Sequence, residues 1–315
     1  MAPDLRFQPL KPWLLATFGH PLHRVALDAG STCPNRDGSK GYGGCVYCDV
    51  EGSGTGALRT GLELRGQLER GMQRVARRET GEFGVVAYFQ SYSNTYVEPE
   101  RLDQVLRIVE ERLDQGIEVV ALATRPDTLP DWSLERLSRL AERVPVWVEL
   151  GLEAASDEVL DRIARYHTVD EFREAVERCH AAGLEVVGHA ILGLPGDGRA
   201  GAQRSADVLA ECGCRGVKVH NLMVLRRTVL EKWWREGQVD VLEPDQYVEW
   251  LADFVERLRP DQVLHRITGD APLEERLAPR WNVHKSEIRD RLQAELERRG
   301  TRQGSGHRAA DARRS

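Results

Sequence analysis

The sequence predicts an α/β protein whose core is a partial (β/α)6 barrel of the TIM type, followed by a helical C-terminal extension. Three observations support this fold class: β-branched runs alternate with helical segments, polar residues share strand faces, and the length suits one large domain. The chain has 315 residues, of which 41% are hydrophobic and 30% are charged, as in ordinary soluble globular proteins. A barrel of roughly 200 to 250 residues with an appendage fits this length.

Six runs rich in β-branched residues predict the strands, and segments with helical periodicity separate most of them. The runs cover residues 25–27, 85–89, 119–123, 146–152, 186–192 and 217–224. Strands that are joined by helical crossovers run parallel, and they wind either an open sheet or a barrel. In both arrangements we expect ligands to bind at the carboxyl ends of the strands.

Polar side chains on the later strands favour the barrel. Residues two apart on a strand share a face, which groups Glu149 with Glu153 and Lys218 with His220. An open sheet with helices on both sides would bury these charges at a high cost, whereas a barrel with a ligand in its mouth can pair or solvate them. The alternative is that Glu149 and Lys218 lie in water at the strand ends.

We divide the chain into four segments: a lead-in, the barrel core, a C-terminal extension, and a polar arginine-rich tail that we expect to be disordered. Their bounds are 1–20, 21–240, 241–299 and 300–315. After the barrel strands, the pattern indicates helices at 229–236 and 246–258, a strand at 262–267 and a charged helix up to about residue 299.

Charge and hydropathy exclude some classes of partner. The net charge of −6 gives no overall attraction for nucleic acid or for an anionic membrane. The sequence has no run of about 18 apolar residues, and its first residues lack the charged-then-apolar order of a secretory signal. We therefore expect a cytoplasmic protein without a membrane partner, and the pattern indicates no particular oligomeric state.

Three of the six cysteines lie within sixteen positions, on a glycine-rich loop after the first predicted strand. Cys33, Cys45 and Cys48 form the spacing C-x11-C-x2-C, and thiolates are soft ligands for zinc or for an iron–sulfur cluster. A structural zinc needs a fourth ligand, such as His20 or His23, whereas a cubane held by three thiolates keeps one iron open. The spacing leaves both alternatives open, together with reduced cysteines that bind nothing.

The cysteine loop, in which Tyr47 precedes Cys48, resembles the cluster loop of the radical S-adenosylmethionine (radical SAM) enzymes. The usual spacing there is C-x3-C-x2-C, and the longer spacer of this chain resembles the YhcC-like branch. The matching motifs are CPNRDG at 33–38, GGC at 43–45, YFQ at 88–90, TRPD at 124–127, ELGLE at 149–153, HAILGLPG at 189–196 and HRI at 265–267. More distantly, the chain resembles the catalytic-subunit type of elongator protein.

The resemblance implies an enzyme with two cofactors, a [4Fe–4S] cluster and S-adenosylmethionine. Cys33, Cys45 and Cys48 would hold three irons, and the methionyl amino and carboxylate groups of S-adenosylmethionine would chelate the fourth. A low-potential electron donor, such as a flavodoxin or a ferredoxin, would drive cleavage of the sulfonium to methionine and a 5′-deoxyadenosyl radical. That radical would abstract hydrogen from a substrate, a small molecule or RNA, which the motifs do not specify.

The resemblance also implies contacts to S-adenosylmethionine. Arg165 stands where relatives pair an arginine with the methionyl carboxylate, and the planar guanidinium suits that group. Glu153 and His189 stand where relatives contact the ribose. Without the family, Arg165 would be interpreted as a solvated helix residue and His189 as a buried structural histidine.

Four further residues are candidates for cofactor contact through the same resemblance. Tyr47 is the aromatic residue of the cluster loop. Gln90 and Ser91 follow the second strand, where many relatives meet the methionyl amino group. Gly193 begins a glycine-rich turn that, in relatives, packs near the adenosyl moiety.

A second interpretation, from a different class, is a zinc-stabilised binding protein without catalysis. The tail from residue 300 is rich in arginine, and a basic arm of this kind can contact RNA phosphates. Only the distant elongator resemblance favours RNA. We interpret the remaining cysteines as free thiols rather than as a second cluster site; they are Cys179, Cys212 and Cys214.

Overall fold

The computed structural model describes residues 5–48, 61–281 and 283–307, and its centre is a curled half-barrel of parallel strands. The strands are Leu22–Leu27 (β1), Gly84–Phe89 (β2), Ile117–Thr124 (β3), Val146–Glu153 (β4), Glu185–Leu192 (β5), Gly216–Asn221 (β6), Val224–Leu225 (β7), Val263–Arg266 (β8) and Arg276–Ala278 (β9). Seven of them form one sheet in the order β1-β2-β3-β4-β5-β6-β8. The short strands β7 and β9 pair with each other in antiparallel fashion.

Helices connect most of the successive strands. They are Leu10–Phe18 (α1), Leu64–Ala76 (α2), Pro99–Glu110 (α3), Asp131–Ala141 (α4), Asp157–Arg162 (α5), Val169–Ala181 (α6), Gly198–Glu211 (α7), Val229–Arg235 (α8), Pro244–Arg257 (α9) and Lys285–Arg299 (α10). In α3, proline starts the helix and Leu102, Val105 and Val109 are buried at helical spacing. Within the described ranges, no helix is both long and apolar enough to cross a bilayer.

The first strand shows how the two faces of the sheet differ. Val25 and Leu27 are buried in the core that α2 covers, and a Cβ at Gly71 of α2 would lie 2.2 Å from Val25 Cγ1. Because side chains alternate along a strand, Arg24 and Ala26 face the concave side, where both keep contact with solvent. The concave side is therefore the lumen of the half-barrel.

Helix α1 closes the amino end of this lumen. Leu10 and Leu14 are buried against the inner residues Val86, Trp147 and Val187 in one apolar cluster. This apolar layer excludes water from below. Polar chemistry is left to the middle and the carboxyl end of the barrel.

The predicted α/β half-barrel is confirmed, with one strand more than the six that the pattern indicated. The additional strand, β8, comes from the segment that we assigned to the C-terminal extension, and it pairs in parallel with β6. The predicted run at 217–224 divides into β6 and β7, because the chain bends between them and Leu222 N donates to Leu192 O.

The expectation of a disordered tail is wrong for residues 300–307. Gln303 is buried, and its Nε2 donates to the carbonyl oxygens of Arg259 at 2.8 Å and Gln262 at 2.7 Å. Its Oε1 accepts from the backbone N–H of Gln8 at 2.9 Å. Polar composition favoured disorder, but one glutamine satisfies three backbone groups here. Residues 308–315 of the predicted tail lie outside the described residues.

Candidate active site

A cavity of about 280 Å³ opens at the carboxyl ends of the strands, and most of the predicted site residues line it. Those on its wall are Cys33, Cys45, Tyr47, Cys48, Gln90, Glu153, Arg165 and His189. The cysteine loop forms one side, and residues of the strands form the other. The fold thus brings together residues that lie far apart in the sequence.

Ser91 and Gly193 are not on this wall. Ser91 is fully buried, and its carbonyl oxygen accepts hydrogen bonds from Ser31 Oγ at 3.2 Å and from Asn94 Nδ2 at 3.1 Å. Gly193 has a φ of +92°, and a Cβ there would lie 3.2 Å from Leu242 Cγ. Their contact with a cofactor stays a prediction.

The cysteine loop is a compact series of turns. The carbonyl oxygen of Cys33 accepts from Arg36 N at 2.8 Å, and that of Cys45 accepts from Cys48 N at 2.9 Å. Gly44 has a φ of +89°, and a Cβ at this position would lie 3.2 Å from Cys48 Cβ. These turns bring the three cysteines to the same wall of the cavity.

Cys45 lies in surroundings that favour a thiolate. A hydrogen bond from Cys48, followed by the charges of Arg165 and Arg125, holds the pKa of Cys45 well below its ordinary value, although burial opposes the shift. Asn35 Nδ2 lies 3.5 Å from Cys45 Sγ, and Arg165 Nη1 lies 4.0 Å from it. Sulfur in the thiolate form is the ligand form for metals.

The structure does not bring His20 or His23, the candidate fourth ligands of a zinc site, to the three cysteines. His20 Nε2 bonds to Glu118 at 2.7 Å and His23 Nε2 lies 3.2 Å from Glu79, both at the amino end of β1. Cys33 and the other two thiols lie beyond the opposite end. In the described part of the chain, no three cysteine, histidine or acidic side chains converge on a point where one metal ion could sit. Three thiols on one cavity wall fit a cluster, which spreads its irons apart, better than a single ion.

Arg165 is buried rather than solvated. It follows α5 in a segment where the neighbouring residues Ala164 and Tyr166 have φ values of 54° and 55°. Its Nη2 lies 3.3 Å from Glu153 Oε1, and its Nε lies 3.0 Å from His167 Nε2. Backbone strain at non-glycine residues persists where the surrounding structure holds it, often at functional sites.

Gly151 makes room for the pair of Arg165 and Glu153. A Cβ at this position would lie 2.2 Å from Glu153 Oε1 and 2.4 Å from Arg165 Nη2. Burial raises the pKa of the Glu153 carboxyl, while the charge of Arg165 opposes the shift. Burial, and next the charge of Glu153, raises the pKa of Tyr47. The tyrosine therefore stays a neutral hydroxyl in this region.

Arg125, the second residue of the TRPD motif at 124–127, is a site residue whose role the motif does not indicate. Its side chain is 2% exposed, its Nε and Nη2 donate to the two oxygens of Asp127 at 2.8 Å, and its Nη2 also donates to Arg165 O at 2.7 Å. Its buried Nη1 has no hydrogen-bond partner in the described part of the chain. A buried donor without a partner is costly, and an anionic ligand at the cavity wall would satisfy it.

A buried polar layer lies deeper in the lumen. Lys218 Nζ donates to Glu149 Oε1 at 2.6 Å and to Tyr88 Oη at 3.1 Å, and His189 Nε2 lies 3.1 Å from Glu149 Oε2. The side chains of Glu149 and Lys218 are each 2% exposed, so the alternative that placed them in water is wrong. Burial lowers the pKa of Lys218 to about 8, although Glu149 opposes the shift.

The other cysteines lie away from this cavity. Burial raises the pKa of Cys179 to about 12 and also raises the pKa values of Cys212 and Cys214. Thiols held in the neutral form are poor nucleophiles and poor ligands. The structure thus agrees with their interpretation as free thiols.

Comparisons with known proteins agree with this geometry. Residues 32–209 match the family profile described as the Radical SAM superfamily, and residues 214–298 match the Radical_SAM C-terminal domain. The protein YtqA of Bacillus subtilis is 36% identical over 302 residues, which cover 96% of this chain and 92% of YtqA. The protein YhcC of Escherichia coli K12 is 32% identical over 271 residues, covering 85% of each chain.

A solved structure shows the same fold. The archaeal Elp3 of Methanocaldococcus infernus, with residues 1–46 deleted, superposes with a TM-score of 0.66 at 18% sequence identity. The superposition covers 90% of this chain and 64% of that one. At 18% sequence identity, this likeness shows a shared fold and no more than that.

Proposed function

Because this chain belongs to the radical SAM superfamily, and within it to a YhcC-like family with distant likeness to Elp3, we propose that it binds a [4Fe–4S] cluster and reductively cleaves S-adenosylmethionine. The observation that carries the proposal is one cavity wall that holds three cysteines beside two buried arginines, Arg125 and Arg165. When bound, the two cofactors supply one-electron cleavage of the sulfonium and hydrogen abstraction from a substrate.

Cys33, Cys45 and Cys48 are the proposed cluster ligands. A hydrogen bond from Cys48 is the largest cause that lowers the pKa of Cys45, and this favours the negatively charged thiolate. Arg165 and Arg125 stabilise that charge, and Asn35 donates toward the same sulfur. These residues hold soft anionic sulfur at the cavity wall, which is what iron–sulfur ligation requires.

The two buried arginines are the proposed holders of the methionyl carboxylate. Arg165 lies over Gly151 with Nη2 toward Glu153, and Arg125 Nη1 has no hydrogen-bond partner among the described residues. A carboxylate accepts strong, short hydrogen bonds from guanidinium groups, and the bonds gain strength where water is excluded.

The strand ends supply the proposed contacts to the nucleoside. Glu153 ends β4 and can accept hydrogen bonds from ribose hydroxyls, and His189 of β5 is oriented by Glu149. Tyr47 and Gln90 line the same cavity, and Tyr47 would exclude water from the cluster side. Cleavage also requires a one-electron donor, and a flavodoxin or ferredoxin meets that need.

The experiment begins with purification under anaerobic conditions. We expect brown protein with about four irons per chain and release of 5′-deoxyadenosine that depends on dithionite. Cys45→Ala should abolish this release because the cluster loses a ligand. The matched control is Cys212→Ala, which removes a thiol outside the cavity and should retain both iron and release. Colourless protein with one tightly bound zinc, or wild-type release by Cys45→Ala, would contradict the proposal.

A further inference from the structure

Two arginines face the lumen without a carboxylate partner. Arg24 lies on β1 and Arg266 lies on β8, which are the two edge strands of the sheet. Among the residues that the structure describes, neither guanidinium makes a hydrogen bond or an ion pair with the protein. Arg266 is half-buried and lines the cavity, whereas Arg24 is exposed on the edge strand β1.

The two arginines are close enough to repel each other. Burial, and next the positive charge of Arg266, lowers the pKa of Arg24. Lys218 pairs with Arg266 in the register between β6 and β8 and adds a third cation at the same level. Like charges that face each other are unfavourable, and an anion that binds between them relieves the repulsion.

The acidic residues of the cavity already have partners. Three acids line it: Glu149, Glu153 and Asp270. Glu149 is shared by Lys218 and His189, and Glu153 lies against Arg165. Asp270 has a partner of its own. Among the described residues, the lumen therefore keeps a positive excess that their carboxylates do not neutralise.

The arginine pair lies below the level proposed for S-adenosylmethionine. Glu153 is the last residue of β4, and Arg165 lies beyond that end, whereas Arg24 lies three positions before the end of β1. Arg266 is level with Lys218, which likewise precedes the end of β6 by three positions. Arg24 pairs in register with Val86 of the apolar layer of α1, and Arg266 lines the cavity, so the pair reaches from that layer to the cavity wall.

We propose that Arg24 and Arg266 form an oxyanion subsite that binds a carboxylate or phosphate group of the substrate in the lumen. The inference rests on the proposed function, because it assigns the space beneath the cofactor to the substrate. Each guanidinium group presents a flat pair of N–H donors, which matches two oxygens of a carboxylate or a phosphate. The substrate class is therefore an anionic molecule small enough to place its charged end inside the half-barrel.

The test uses two probes, inorganic phosphate and glutarate, with the reconstituted full-length protein at constant ionic strength. We expect at least one probe to bind with one-to-one stoichiometry in calorimetry. Arg24→Gln and Arg266→Gln should each weaken that binding by about tenfold or more, since each removes one charged partner. Binding of one probe alone identifies the chemical class, and binding of both supports a general oxyanion site.

Matched variants separate charge from geometry. Arg24→Lys keeps the charge but loses the flat donor pair, so it should bind more weakly than the wild type and more tightly than Arg24→Gln. Arg107→Gln makes the same charge change on the exposed side of α3 and should leave the dissociation constant unchanged. Thermal unfolding of each variant tests folding, and Arg24→Gln relieves a repulsion rather than breaking a bond.

Three results would overturn the subsite. They are failure of both probes to bind the wild type, equal binding by the wild type and both glutamine variants, and competition between the probe and S-adenosylmethionine. Competition would assign the arginines to the cofactor. Iron content and 5′-deoxyadenosine release of the same wild-type sample test the proposed function separately, so failure of one proposal is distinguishable from failure of the other.

Discussion

Asp197, just before α7, has a carboxylate that the surrounding protein compensates poorly. Its side chain is 1% exposed, the nearest basic atom, Arg204 Nη2, is 3.9 Å away, and neither oxygen has a hydrogen-bond partner among the described residues. Burial raises its pKa from 3.8 to about 6. A pKa that is higher in the folded state means that stability is lost as the pH rises through that interval.

Asp197→Asn should therefore stabilise the protein at neutral pH. The shift predicts a gain of about 1 to 3 kcal/mol in the free energy of unfolding at pH 7.5, after allowance for partial solvent screening. The gain should nearly vanish at about pH 3, below both pKa values, where the wild-type carboxyl is mostly protonated in both states. Urea unfolding at the two pH values measures this, and an equal gain at both would refute the titration argument.

Gly151→Ala tests whether the Arg165–Glu153 pair must occupy its observed position. The added Cβ would lie 2.2 Å from Glu153 Oε1 and 2.4 Å from Arg165 Nη2, so at least one side chain has to move. We expect affinity for S-adenosylmethionine to fall by about tenfold, as for the loss of one good hydrogen bond, with iron content retained. Gly66→Ala in α2 is the control, since its Cβ would make ordinary contacts with Leu62. Unchanged affinity in calorimetry would show that the pair does not hold the cofactor.

Between elements, the contact of β4 with β6 through Glu149 and Lys218 joins two strands on either side of β5. Burial alone would raise the pKa of Glu149, but Lys218 and His189 together hold it well below its ordinary range. Removing one partner leaves the other charge buried without compensation. Removing one partner lowers the free energy of unfolding far more than exchanging both partners for neutral groups does.

Glu149→Gln should therefore lower the free energy of unfolding by about 3 to 5 kcal/mol. Adding Lys218→Met to that variant should recover a large part of the loss, because the uncompensated ammonium is removed. A double-mutant cycle in urea measures the coupling. If the two losses simply add, the charges are compensated by other groups or by water.

The same elements show where sequence patterns suffice. The alternation of β-branched runs and helical segments predicted the parallel sheet, and the inward face of Glu149 and Lys218 predicted a polar lumen. Periodicity does not show which neighbouring strand a strand pairs with. The pairing of β8 with β6 was therefore not predicted, and β8 was assigned outside the barrel. It also does not show a chain bend, so the run at 217–224 was read as one strand.

The candidate site was only partly predictable for a related reason. The cysteine loop is contiguous, so its spacing and its family resemblance carried the prediction. Arg125 and the pair of Arg24 with Arg266 depend on which residues meet across the barrel, and a single sequence does not contain that information. Gln303 was missed because its polar neighbourhood resembles that of disordered tails.

Across the whole molecule, the residues near both chain ends meet beside β8. Gln303 bonds to the backbone of Gln8 and of Gln262, and Arg6 Nη1 donates to Thr301 O at 2.9 Å.

Gln303→Ala leaves buried backbone groups unsatisfied, so we expect it to lower the free energy of unfolding by about 1 to 3 kcal/mol. Chemical unfolding measures the loss, and Gln238→Ala, whose amide bonds to Glu236 at the surface, is the control. A loss no greater than that of the control would show that the junction carries no stability.

The two edge strands that border the lumen lie far apart in the sequence, β1 at Leu22–Leu27 and β8 at Val263–Arg266. A nascent chain leaving the ribosome would expose Cys33, Cys45 and Cys48 early, while the last wall of their cavity is still being translated. Because a domain folds as a unit once its parts are available, metal insertion belongs after synthesis of most of the chain. Until then the thiols are open to oxidation, which would remove the proposed cluster ligands.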